Sequence, residues 1–516
     1  MDSSIKKQIV LVVLDGWGER AEARDNAIRE AKTPFFDSLI ATYPHTTLDA
    51  SEENVGLPSG QIGNSEVGHM TIGAGRVIDT DLVRITKAMK AGEFVTNPAL
   101  KTVYDHVKTH GSTLHIMGLV SPGGIHSHEE HLYGLLRACK DVGLTNVAIH
   151  AFTDGRDVAP QSGAESLKRL EVLCTELGVG RIASVSGRIY AMDRDNNWDR
   201  IAKVQHAICD GVGCATSTTS GVEQTKSASS VVEAMYGAGT FDEHIEPVVF
   251  LDTNGKASTI GMNDGVIFFN FRPDRAREMS KVIADMRTAM NLSFTTLTEY
   301  DAKLEANVAF PQTKIETTLA NEIAKAGMTQ AHIAETEKYP HATYFLNGGQ
   351  ETPHDGEEFV LIASRKDVLT HDLAPEMRAK EIADAAIARI DSGTDFIFIN
   401  FANADMVGHT ANKPAIITAV ETVDRELGRV IGALTARHPH GGGIAFITAD
   451  HGNAEMNIDP KTGEKHTAHT LNVVPAILTE KGHELHHGTL ADIAPTVLTL
   501  YGLPVPPAMT GKILIK

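Results

Sequence analysis

The chain has 516 residues, of which 42% are hydrophobic and 22% are charged, as in an ordinary globular protein. This composition excludes a disordered chain, a collagen-like chain and a coiled coil, and the length predicts more than one domain. Lys and Arg number 47 against 66 Asp and Glu, and the formal net charge of −19 predicts no general binding to nucleic acid or to an anionic membrane.

Four cysteines, Cys139, Cys174, Cys209 and Cys214, are too few and too scattered for a disulfide framework or a cysteine-rich zinc site. They predict reduced thiols in a cytoplasmic protein. The first apolar run, residues 9–14, is too short for a membrane span or for the core of a signal peptide. We therefore expect neither a targeting segment nor a membrane anchor.

Short apolar runs alternate along the chain with segments of helical spacing, such as residues 376–390. Runs of four to six residues that are rich in β-branched and aromatic side chains are typical of buried strands. The alternation predicts an α/β protein with mostly parallel sheets. In chain order, the predicted strands include residues 9–14, 114–117, 147–149, 266–269, 359–362, 396–399 and 444–447.

Acidic side chains follow the C-terminal ends of three of these strands, which is where ligands bind in open parallel sheets. The residues concerned are Asp15, Asp405 and Asp450. The three strands come from both ends of the sequence, so the simplest interpretation is one sheet that the chain leaves and re-enters. We therefore predict a discontinuous domain of residues 1–79 and 312–516, and an inserted domain of residues 80–311.

Carboxylates and imidazoles near these strand ends are candidate metal ligands. Asp405 and His409 lie four residues apart, so on a helix they share one face and can reach one ion. Such ligands suit Zn²⁺, Mn²⁺ or Fe²⁺, and the set is large enough for two ions. Any single member could be a capping aspartate or a surface histidine, but their joint position favours metal binding. The candidates are Asp15, Asp405, His409, Asp450, His451 and His469.

Residues 58–69 place Ser65 among glycines that allow a close approach of the backbone to an anion. Ser65 is a candidate nucleophile if a metal lowers the pKa of its hydroxyl. The segment is not a G-x-S-x-G nucleophile elbow, because Gly68 lies one residue too far from Ser65. A structural turn is the alternative interpretation.

The middle of the chain mixes arginine with aspartate in residues 154–157, 187–194 and 270–275. Arg can bind a carboxylate or a phosphate with two parallel hydrogen bonds. In an acidic chain, several Arg side chains in one cleft would concentrate an anionic substrate there. Solvated salt bridges are the alternative.

Residues 126–131 contain three histidines but do not match the H-E-x-x-H zinc motif. We interpret His126 as a residue that hydrogen-bonds a substrate. His128 and His131 are interpreted as structural.

A series of segments, in order from residue 9 to beyond residue 500, resembles the motifs of the cofactor-independent (2,3-bisphosphoglycerate-independent) phosphoglycerate mutases. The metal motifs alone resemble the wider alkaline-phosphatase-like superfamily, and the arginine motifs narrow the resemblance to these mutases. Pro122 and Ile189 depart from the family pattern at positions without a functional role. The matching segments are residues 14–18, 58–69, 154–157, 187–200, 271–275, 335–339, 405–409, 448–453 and 466–469.

The resemblance implies two α/β domains, a discontinuous alkaline-phosphatase-like metal-binding domain and an inserted phosphotransferase domain. It implies an isomerase that interconverts 3-phosphoglycerate and 2-phosphoglycerate in glycolysis and gluconeogenesis, without 2,3-bisphosphoglycerate. It also implies a phosphoserine intermediate, two divalent metal ions with Mn²⁺ as the expected metal, and a cytoplasmic monomer. The alternative is a sibling enzyme, such as a phosphopentomutase or a metal-dependent phosphatase, which should lack the arginine motifs.

The resemblance also implies roles for single residues. Ser65 would accept the phosphoryl group, Asp157 would handle a proton and Lys338 would steady the phosphoryl group. One metal site would comprise Asp405, His409 and His469, with His466 as the alternative to His469. The other metal site would comprise Asp15, Ser65, Asp450 and His451. The substrate would be bound by His126, Arg156, Asp157, Arg188, Arg194, Arg272, Arg275 and Lys338.

Overall fold

The computed structural model describes residues 7–213, the backbone of 222–223, and residues 227–516, so Cys214 lies outside the described residues. The chain divides into two compact units, one of Met1–Thr80 with Lys314–Lys516 and one of Asp81–Thr313. The roles predicted for the two parts of the chain stay predictions. Of the cysteines, Cys139, Cys174 and Cys209 are free thiols.

Within the described residues, the strands are β1 (Gln8–Leu14), β2 (His45–Asp49), β3 (Leu114–Leu119), β4 (Val147–Thr153), β5 (Arg181–Gly187), β6 (Val222–Glu223), β7 (Val248–Phe250), β8 (Gly265–Phe268), β9 (Ser293–Thr296), β10 (Asn307–Val308), β11 (Gln330–Glu335), β12 (Glu357–Ile362), β13 (Phe396–Phe401), β14 (Gly443–Thr448), β15 (Val474–Leu478) and β16 (Gly488–Thr489). The α-helices are α1 (Ala27–Glu30), α2 (Pro34–Thr42), α3 (Ser65–Ala74), α4 (Asp81–Lys90), α5 (Pro98–His110), α6 (Glu129–Asp141), α7 (Gly163–Leu177), α8 (Arg188–Ala191), α9 (Trp198–Gln205), α10 (Ala228–Gly237), α11 (Arg277–Met290), α12 (Leu319–Lys325), α13 (Ala379–Ser392), α14 (Asn403–Gly408), α15 (Lys413–Arg437) and α16 (Ile493–Tyr501).

The first unit is built on a mostly parallel sheet with the strand order β12-β11-β13-β1-β14-β15-β2-β16. β1 lies between β13 and β14 and is parallel to both, with Leu11 beside Phe398 and Phe446. β15 runs antiparallel to β14 and to β2. Strands from both ends of the sequence therefore meet in one sheet, as the sequence predicts.

Helices cover the central strands of this sheet. Every residue of β1 and β13 is buried, as expected for parallel strands that are packed on both faces. Helix α13 packs on β11 and β13 and against α15, while α3, α12 and α16 pack against one another. Their apolar side chains and those of the strands form one continuous core, which holds the strand ends in place.

One predicted strand is less buried than expected. β12 is the edge strand of this sheet, beside β11, and its Leu361 is 51% exposed. The interpretation of residues 359–362 as a buried strand is therefore wrong in this respect. The reason is that an edge strand has a neighbour on one side only.

The second unit is built on a sheet with the strand order β10-β9-β8-β3-β4-β5-β7-β6, in which β7 runs antiparallel to β5. Ile116 and Ile267 belong to an apolar cluster with helices α5, α6 and α7. Met117 and Phe268, one residue further along the same strands, belong to another cluster with α9 and α11. Because successive strand residues point to opposite faces, helices cover both faces of this sheet too.

None of the helices in the described part of the chain combines the length and the hydrophobicity that a membrane crossing requires. The two sheets with helices on their faces confirm the predicted α/β class.

Candidate functional site

The carboxyl ends of the strands in the first unit bring the predicted metal ligands together. Asp15 directly follows β1, Asp450 and His451 follow β14, and Asp405 lies in α14, which begins two residues after β13. Ser65 is the first residue of α3, where the side chain of Asn64 accepts a hydrogen bond from the Val67 amide at 3.1 Å and caps the helix. Chain positions far apart in sequence thus converge at one edge of the sheet.

Asp405, His409 and His469 form the first cluster of candidate ligands. The Nε2 atoms of the two histidines lie 3.2 Å apart, and they lie 3.3 Å and 3.1 Å from Asp405 Oδ1. Their Nδ1 atoms donate hydrogen bonds to the backbone carbonyls of Thr467, at 2.7 Å, and Gly63, at 2.8 Å. The Nε2 atoms of both rings therefore lie beside one carboxylate oxygen, as the ligands of a single metal ion do.

Asp15, Asp450 and His451 form the second cluster, and Ser65 lies against it. His451 Nε2 lies 3.0 Å from Ser65 Oγ, 3.6 Å from Asp15 Oδ1 and 3.4 Å from Asp450 Oδ2. Ser65 Oγ also lies 3.4 Å from Asp15 Oδ1. Asp450 Oδ2 is buried, and among the described residues its polar neighbours are His69 Nδ1 at 3.3 Å and His451 Nε2 at 3.4 Å, without a well-aligned hydrogen bond. A cation bound there would satisfy this oxygen.

Lys338 and a stacked pair of histidines connect the two clusters. The ring centroids of His451 and His469 lie 3.7 Å apart, with the ring planes at 18°. Lys338 Nζ lies 2.6 Å from Ser65 Oγ, 2.7 Å from Asp15 Oδ1 and 2.6 Å from Asp405 Oδ2. The candidate nucleophile therefore sits beside an ammonium group and between two ligand clusters.

Three carboxyl groups, those of Asp15, Asp405 and Asp450, surround one ammonium group in this buried site. Burial opposes the charge of Lys338, but Asp15, Asp405 and Asp450 hold the pKa of Lys338 above its ordinary value. Burial, and then Asp450, raises the pKa of Asp15 to about 7. Buried carboxylates without enough cations are costly, and divalent cations relieve that cost. The donor types, the excess of carboxylates and the Asp450 oxygen that lacks a well-aligned hydrogen bond all fit one divalent ion in each cluster.

Two residues without a predicted role support this site. His69 Nδ1 lies 2.9 Å from the Ser65 carbonyl oxygen and 3.3 Å from Asp450 Oδ2. Asn400 Nδ2 donates to Asp15 Oδ2 at 2.7 Å and lies 3.0 Å from His69 Nε2. The signal for His69 is its position four residues after Ser65, which puts both on one face of α3.

The carboxyl ends of strands in the second unit carry a separate group of polar residues. Asp154 follows β4, Arg188 follows β5, and Arg272 lies four residues after β8. Arg188 Nη1 donates to Asp154 Oδ1 at 2.6 Å and to Asp157 Oδ2 at 2.7 Å. Asp154, for which the sequence predicts no role, also accepts the backbone N–H groups of Arg156 and Asp157, so it orders this loop.

His126 lies between two carboxylates in this group. Its Nε2 lies 3.9 Å from Asp157 Oδ2 and its Nδ1 lies 3.5 Å from Asp274 Oδ1. Burial, and then the charge of Arg188, lowers the pKa of His126 to about 4. His126 is therefore neutral at pH 7, and its Nδ1 atom lacks a hydrogen-bond partner within the described residues.

The remaining arginines form an accessible cationic cluster. Asp274 pairs with Arg194 and with Arg272, each at 3.0 Å, and the two arginines are 46% and 49% exposed. Arg275 donates to the Met192 carbonyl at 3.2 Å. Burial, followed by the charges of Arg194, Arg188 and Arg156, lowers the pKa of Arg275. Arg275 therefore lies close enough to three other arginines to be affected by their charge, and such a cluster would bind an anion.

The structure thus places the predicted site residues in two groups, one in each unit. The first group contains Asp15, Ser65, Lys338, Asp405, His409, Asp450, His451 and His469. The second contains His126, Arg156, Asp157, Arg188, Arg194, Arg272 and Arg275. His466 is absent from both ligand clusters. His128 caps α6, and His131 Nε2 lies 2.9 Å from Thr86 Oγ1, so both have structural contacts.

Comparisons with known proteins give two family models and a set of relatives that match nearly the whole chain. Residues 85–302 match the family described as BPG-independent PGAM N-terminus, and residues 296–489 match type I phosphodiesterase / nucleotide pyrophosphatase. The chain is 46% identical over 525 residues to a 2,3-bisphosphoglycerate-independent phosphoglycerate mutase of Methanococcoides burtonii, and 47% identical over 523 residues to one of Clostridium perfringens. Each alignment covers 99% of this chain and 99% of the relative.

A solved structure is also similar over the whole chain. The phosphoglycerate mutase of Leishmania mexicana, crystallised at low cobalt concentration, is 29% identical to this chain with a TM-score of 0.60. The similarity covers 100% of this chain and 99% of that one.

Proposed function

The chain belongs to the 2,3-bisphosphoglycerate-independent phosphoglycerate mutases, and we propose that it interconverts 3-phosphoglycerate and 2-phosphoglycerate through a phosphoserine at Ser65. The predicted family is thereby confirmed, and with it the isomerase class of the enzyme. One observation supports the phosphoserine above all others. Ser65 Oγ lies 2.6 Å from the ammonium of Lys338 and 3.0 Å from His451, beside two clusters of metal-ligand type.

The proposed enzyme uses two divalent metal ions, which we expect to be Mn²⁺. Its reaction does not require 2,3-bisphosphoglycerate. Asp405, His409 and His469 would hold one ion. Asp15, Ser65, Asp450 and His451 would hold the other. When bound, such ions lower the pKa of a nearby hydroxyl and neutralise the oxygens of a phosphoryl group.

Ser65 begins the first half of the reaction in its deprotonated form. Its Oγ attacks the phosphorus of 3-phosphoglycerate, and the bond from phosphorus to the glycerate oxygen breaks. Lys338, which already donates to Ser65 Oγ, donates to the oxygens of the group as it moves. The N-terminus of α3, where Ser65 lies, also favours the negative charge that arrives on this residue.

Asp157 carries the proton in both halves. Its carboxyl group gives a proton to the glycerate oxygen that leaves, and it later takes one from the other glycerate hydroxyl. That second oxygen then attacks the phosphorus of the phosphoserine, and the bond from phosphorus to Ser65 Oγ breaks. 2-Phosphoglycerate forms, and Ser65 returns to its deprotonated form. Arg188, which is held between Asp154 and Asp157, keeps the Asp157 carboxyl group in place.

The arginine group retains the glycerate between the two transfers. Its members would bind the carboxylate and hydroxyl groups of the substrate, together with neutral His126. A phosphatase that works through a serine releases its alcohol product, whereas a mutase has to keep it. We therefore assign the first unit as the metal-binding, phosphatase-like domain and the second as the phosphotransferase domain. The cationic residues are Arg156, Arg188, Arg194, Arg272 and Arg275.

We also propose a monomer in the cytoplasm that binds neither nucleic acid nor a membrane. The free thiols of Cys139, Cys174 and Cys209 support the cytoplasm, and the net charge of −19 supports the absence of nucleic-acid and membrane binding. Light scattering on the purified chain should give a mass near 55.5 kDa, and a mass twice as large would contradict the monomer.

The function is tested with an assay on 3-phosphoglycerate coupled to enolase, without 2,3-bisphosphoglycerate. We expect activity with Mn²⁺, none after metal removal with EDTA, and recovery when Mn²⁺ is returned. Phosphate release from simple esters without mutase activity would instead place the chain among the metal-dependent phosphatases. The arginine group would then need another anionic substrate.

A further inference from the structure

A buried carboxylate without a part in the proposed chemistry lies among the loops that carry the metal ligands. Glu455 is completely buried, and each of its two oxygens accepts two hydrogen bonds. Oε2 accepts the backbone N–H groups of Gly18, at 3.2 Å, and Asn453, at 2.8 Å. Oε1 accepts the Thr470 hydroxyl and the Asn472 amide, the latter at 2.8 Å.

These donors come from three separate segments, and each segment carries a candidate metal ligand. Gly18 lies three residues after Asp15, Asn453 lies two residues after His451, and Thr470 directly follows His469. The Asn453 side chain continues the network, since its Nδ2 donates to Asp405 Oδ1 at 3.0 Å. Glu455 therefore contacts segments that lead to both ligand clusters.

Two glycines provide an independent sign that this carboxylate is built into the site. A Cβ atom on Gly18 would overlap the carboxyl group of Glu455, and a Cβ atom on Gly452 would overlap Glu455 Oε1 and the Thr470 hydroxyl. Neither glycine has a φ angle in the left-handed region. The close approach of Glu455, rather than the backbone conformation, therefore requires glycine at position 18.

We propose that Glu455 is a positioning residue, which fixes the loops that carry Asp15, His451 and His469 and thereby sets the metal affinity of both clusters. The inference rests on the metal binding that is part of the proposed function. Without Glu455, buried N–H groups would lose their acceptor, which is costly, and the loops would move to satisfy them. Loss of groups that orient metal ligands typically weakens metal binding about 10- to 100-fold.

The proposal makes hydrogen bonding, and not charge, the property that matters at position 455. In the Glu455→Gln variant, the amide oxygen can still accept the N–H groups of Gly18 and Asn453. The amide nitrogen then faces the Thr470 hydroxyl and the Asn472 amide, which can both turn to accept. The Glu455→Ala variant offers no acceptor at all.

The test is a titration of the metal-free, full-length chain with Co²⁺, followed by visible absorption, which reports both affinity and ligand geometry. We expect Glu455→Ala to weaken Co²⁺ binding about 10- to 100-fold and to change the spectrum, with Glu455→Gln within about threefold of the unaltered chain. Glu426→Ala is the matched control, because Glu426 is also buried but pairs with Arg425 and Arg429 on α15. Its Co²⁺ affinity should not change.

A merely structural role for Glu455 would lower the melting temperature of the metal-free chain and leave the Co²⁺ affinity of the folded chain unchanged. A folded Glu455→Ala variant with unchanged Co²⁺ affinity would therefore overturn the proposal. A Glu455→Gln variant that binds Co²⁺ as weakly as Glu455→Ala would also overturn the proposal, because the negative charge of Glu455 would then determine the metal affinity.

If Glu455→Ala does not fold, the Gly18→Ala variant tests the same proposal. Its new methyl group would displace the Glu455 carboxyl group, so Co²⁺ binding should weaken about tenfold. Adding Gly18→Ala to a folded Glu455→Ala chain should weaken Co²⁺ binding little further, because both substitutions remove the same contacts. Unchanged Co²⁺ affinity in folded Gly18→Ala would overturn the proposal.

Mutase activity of the unaltered chain is measured in parallel. This distinguishes a failure of the proposed mutase function from a failure of the positioning role of Glu455. A chain that binds Co²⁺ without mutase activity would contradict the proposed function, and the variants would still decide the role of Glu455. A chain with mutase activity and the same Co²⁺ affinity in folded Glu455→Ala would contradict the positioning role alone.

Discussion

Lys338 places an ammonium group against the Ser65 hydroxyl and two buried carboxylates. Such a group stabilises charge that develops on a transferring phosphoryl group, in a site from which water is largely excluded. The neighbouring carboxylates hold the pKa of Lys338 above its ordinary value, so it stays charged throughout the physiological pH range.

We predict that Lys338→Met lowers kcat about 100-fold or more and changes KM much less, because the contact strengthens in the transition state. Steady-state kinetics with saturating Mn²⁺ measures both constants. Lys281→Met is the control, since Lys281 is 62% exposed on α11 and pairs with Asp285. A variant whose kcat stays within a few-fold of the control would contradict the role of Lys338.

Glu335, at the end of β11, supplies a prediction on pH. Burial, and then the charge of Glu337, raises the pKa of Glu335 to about 7 from an ordinary value of 4.5. A carboxyl group with a raised pKa binds its proton more tightly in the folded chain. Its contribution therefore lowers the free energy of unfolding as the pH rises from about 4.5 to about 7.

We predict that Glu335→Gln gains stability relative to the unaltered chain as the pH rises through this window. At pH 4 the unaltered side chain is itself protonated, so the gain should be absent. Urea denaturation at a series of pH values measures the difference, with the exposed Glu316→Gln as the control. A difference that is independent of pH would show that Glu335 does not titrate in this range.

The residues that support the site show which parts of it a sequence can predict. Asp15, Asp405 and Asp450 follow apolar runs, so their position at strand ends is readable from the sequence. Asn400 directly follows the predicted strand 396–399, and Glu455 lies two residues after the matching segment 448–453. Their roles depend on contacts such as that of Asn400 with Asp15, 385 residues away. The sequence carries no signal for such a contact, because packing of the whole sheet creates it.

At the scale of the elements, apolar runs correctly predict buried strands in the middle of the sheet. They overestimate the burial of a strand at its edge. The runs in β1, β13 and β14 are buried, whereas the run in β12 lies at an edge. The apolar pattern does not predict β2, since its sequence, HTTLD, is polar and only Leu48 is buried. Pairing with β15 determines that strand, and such pairing is a tertiary effect.

Helix α3 presents Ser65 at one end and packs closely near the other. A Cβ atom on Gly73 would overlap the carbonyl oxygen of Leu346, whereas a Cβ atom on Gly432, in α15, would meet open space. We predict that Gly73→Ala lowers the free energy of unfolding by about 1–3 kcal/mol through overpacking. It should also lower kcat, because α3 would shift with Ser65.

Gly432→Ala is the matched control for this prediction, because it makes the same change in an exposed part of a helix in the same unit. It should stabilise the chain by about 0.5–1 kcal/mol through a lower entropy of the unfolded chain. Urea denaturation compares the two variants. Equal effects of the two substitutions would show that the close packing of Gly73 is unimportant.

At the scale of the whole molecule, the proposed reaction requires both units, one for the nucleophile and one for the glycerate. The arginine group should therefore decide between transfer back to glycerate and loss of the phosphoryl group to water. Arg194 is suited to a test, because it is 46% exposed and pairs with Asp274, so its removal should leave the fold intact.

We predict that Arg194→Ala raises phosphate release relative to mutase turnover, because glycerate escapes before the second transfer. Parallel assays of inorganic phosphate and of 2-phosphoglycerate measure this ratio. Arg287→Ala is the control, since Arg287 is an exposed arginine of the second unit that pairs with Glu305. An unchanged ratio in Arg194→Ala would count against retention of glycerate by this group.

The covalent intermediate on Ser65 is tested most directly by rapid quenching. The Mn²⁺-loaded chain is mixed briefly with ³²P-labelled 3-phosphoglycerate, stopped with acid, and mapped by mass spectrometry. We predict label on Ser65, and neither label nor turnover in a folded Ser65→Ala variant. Full turnover without label on Ser65, or substantial mutase activity in Ser65→Ala, would contradict the phosphoserine route.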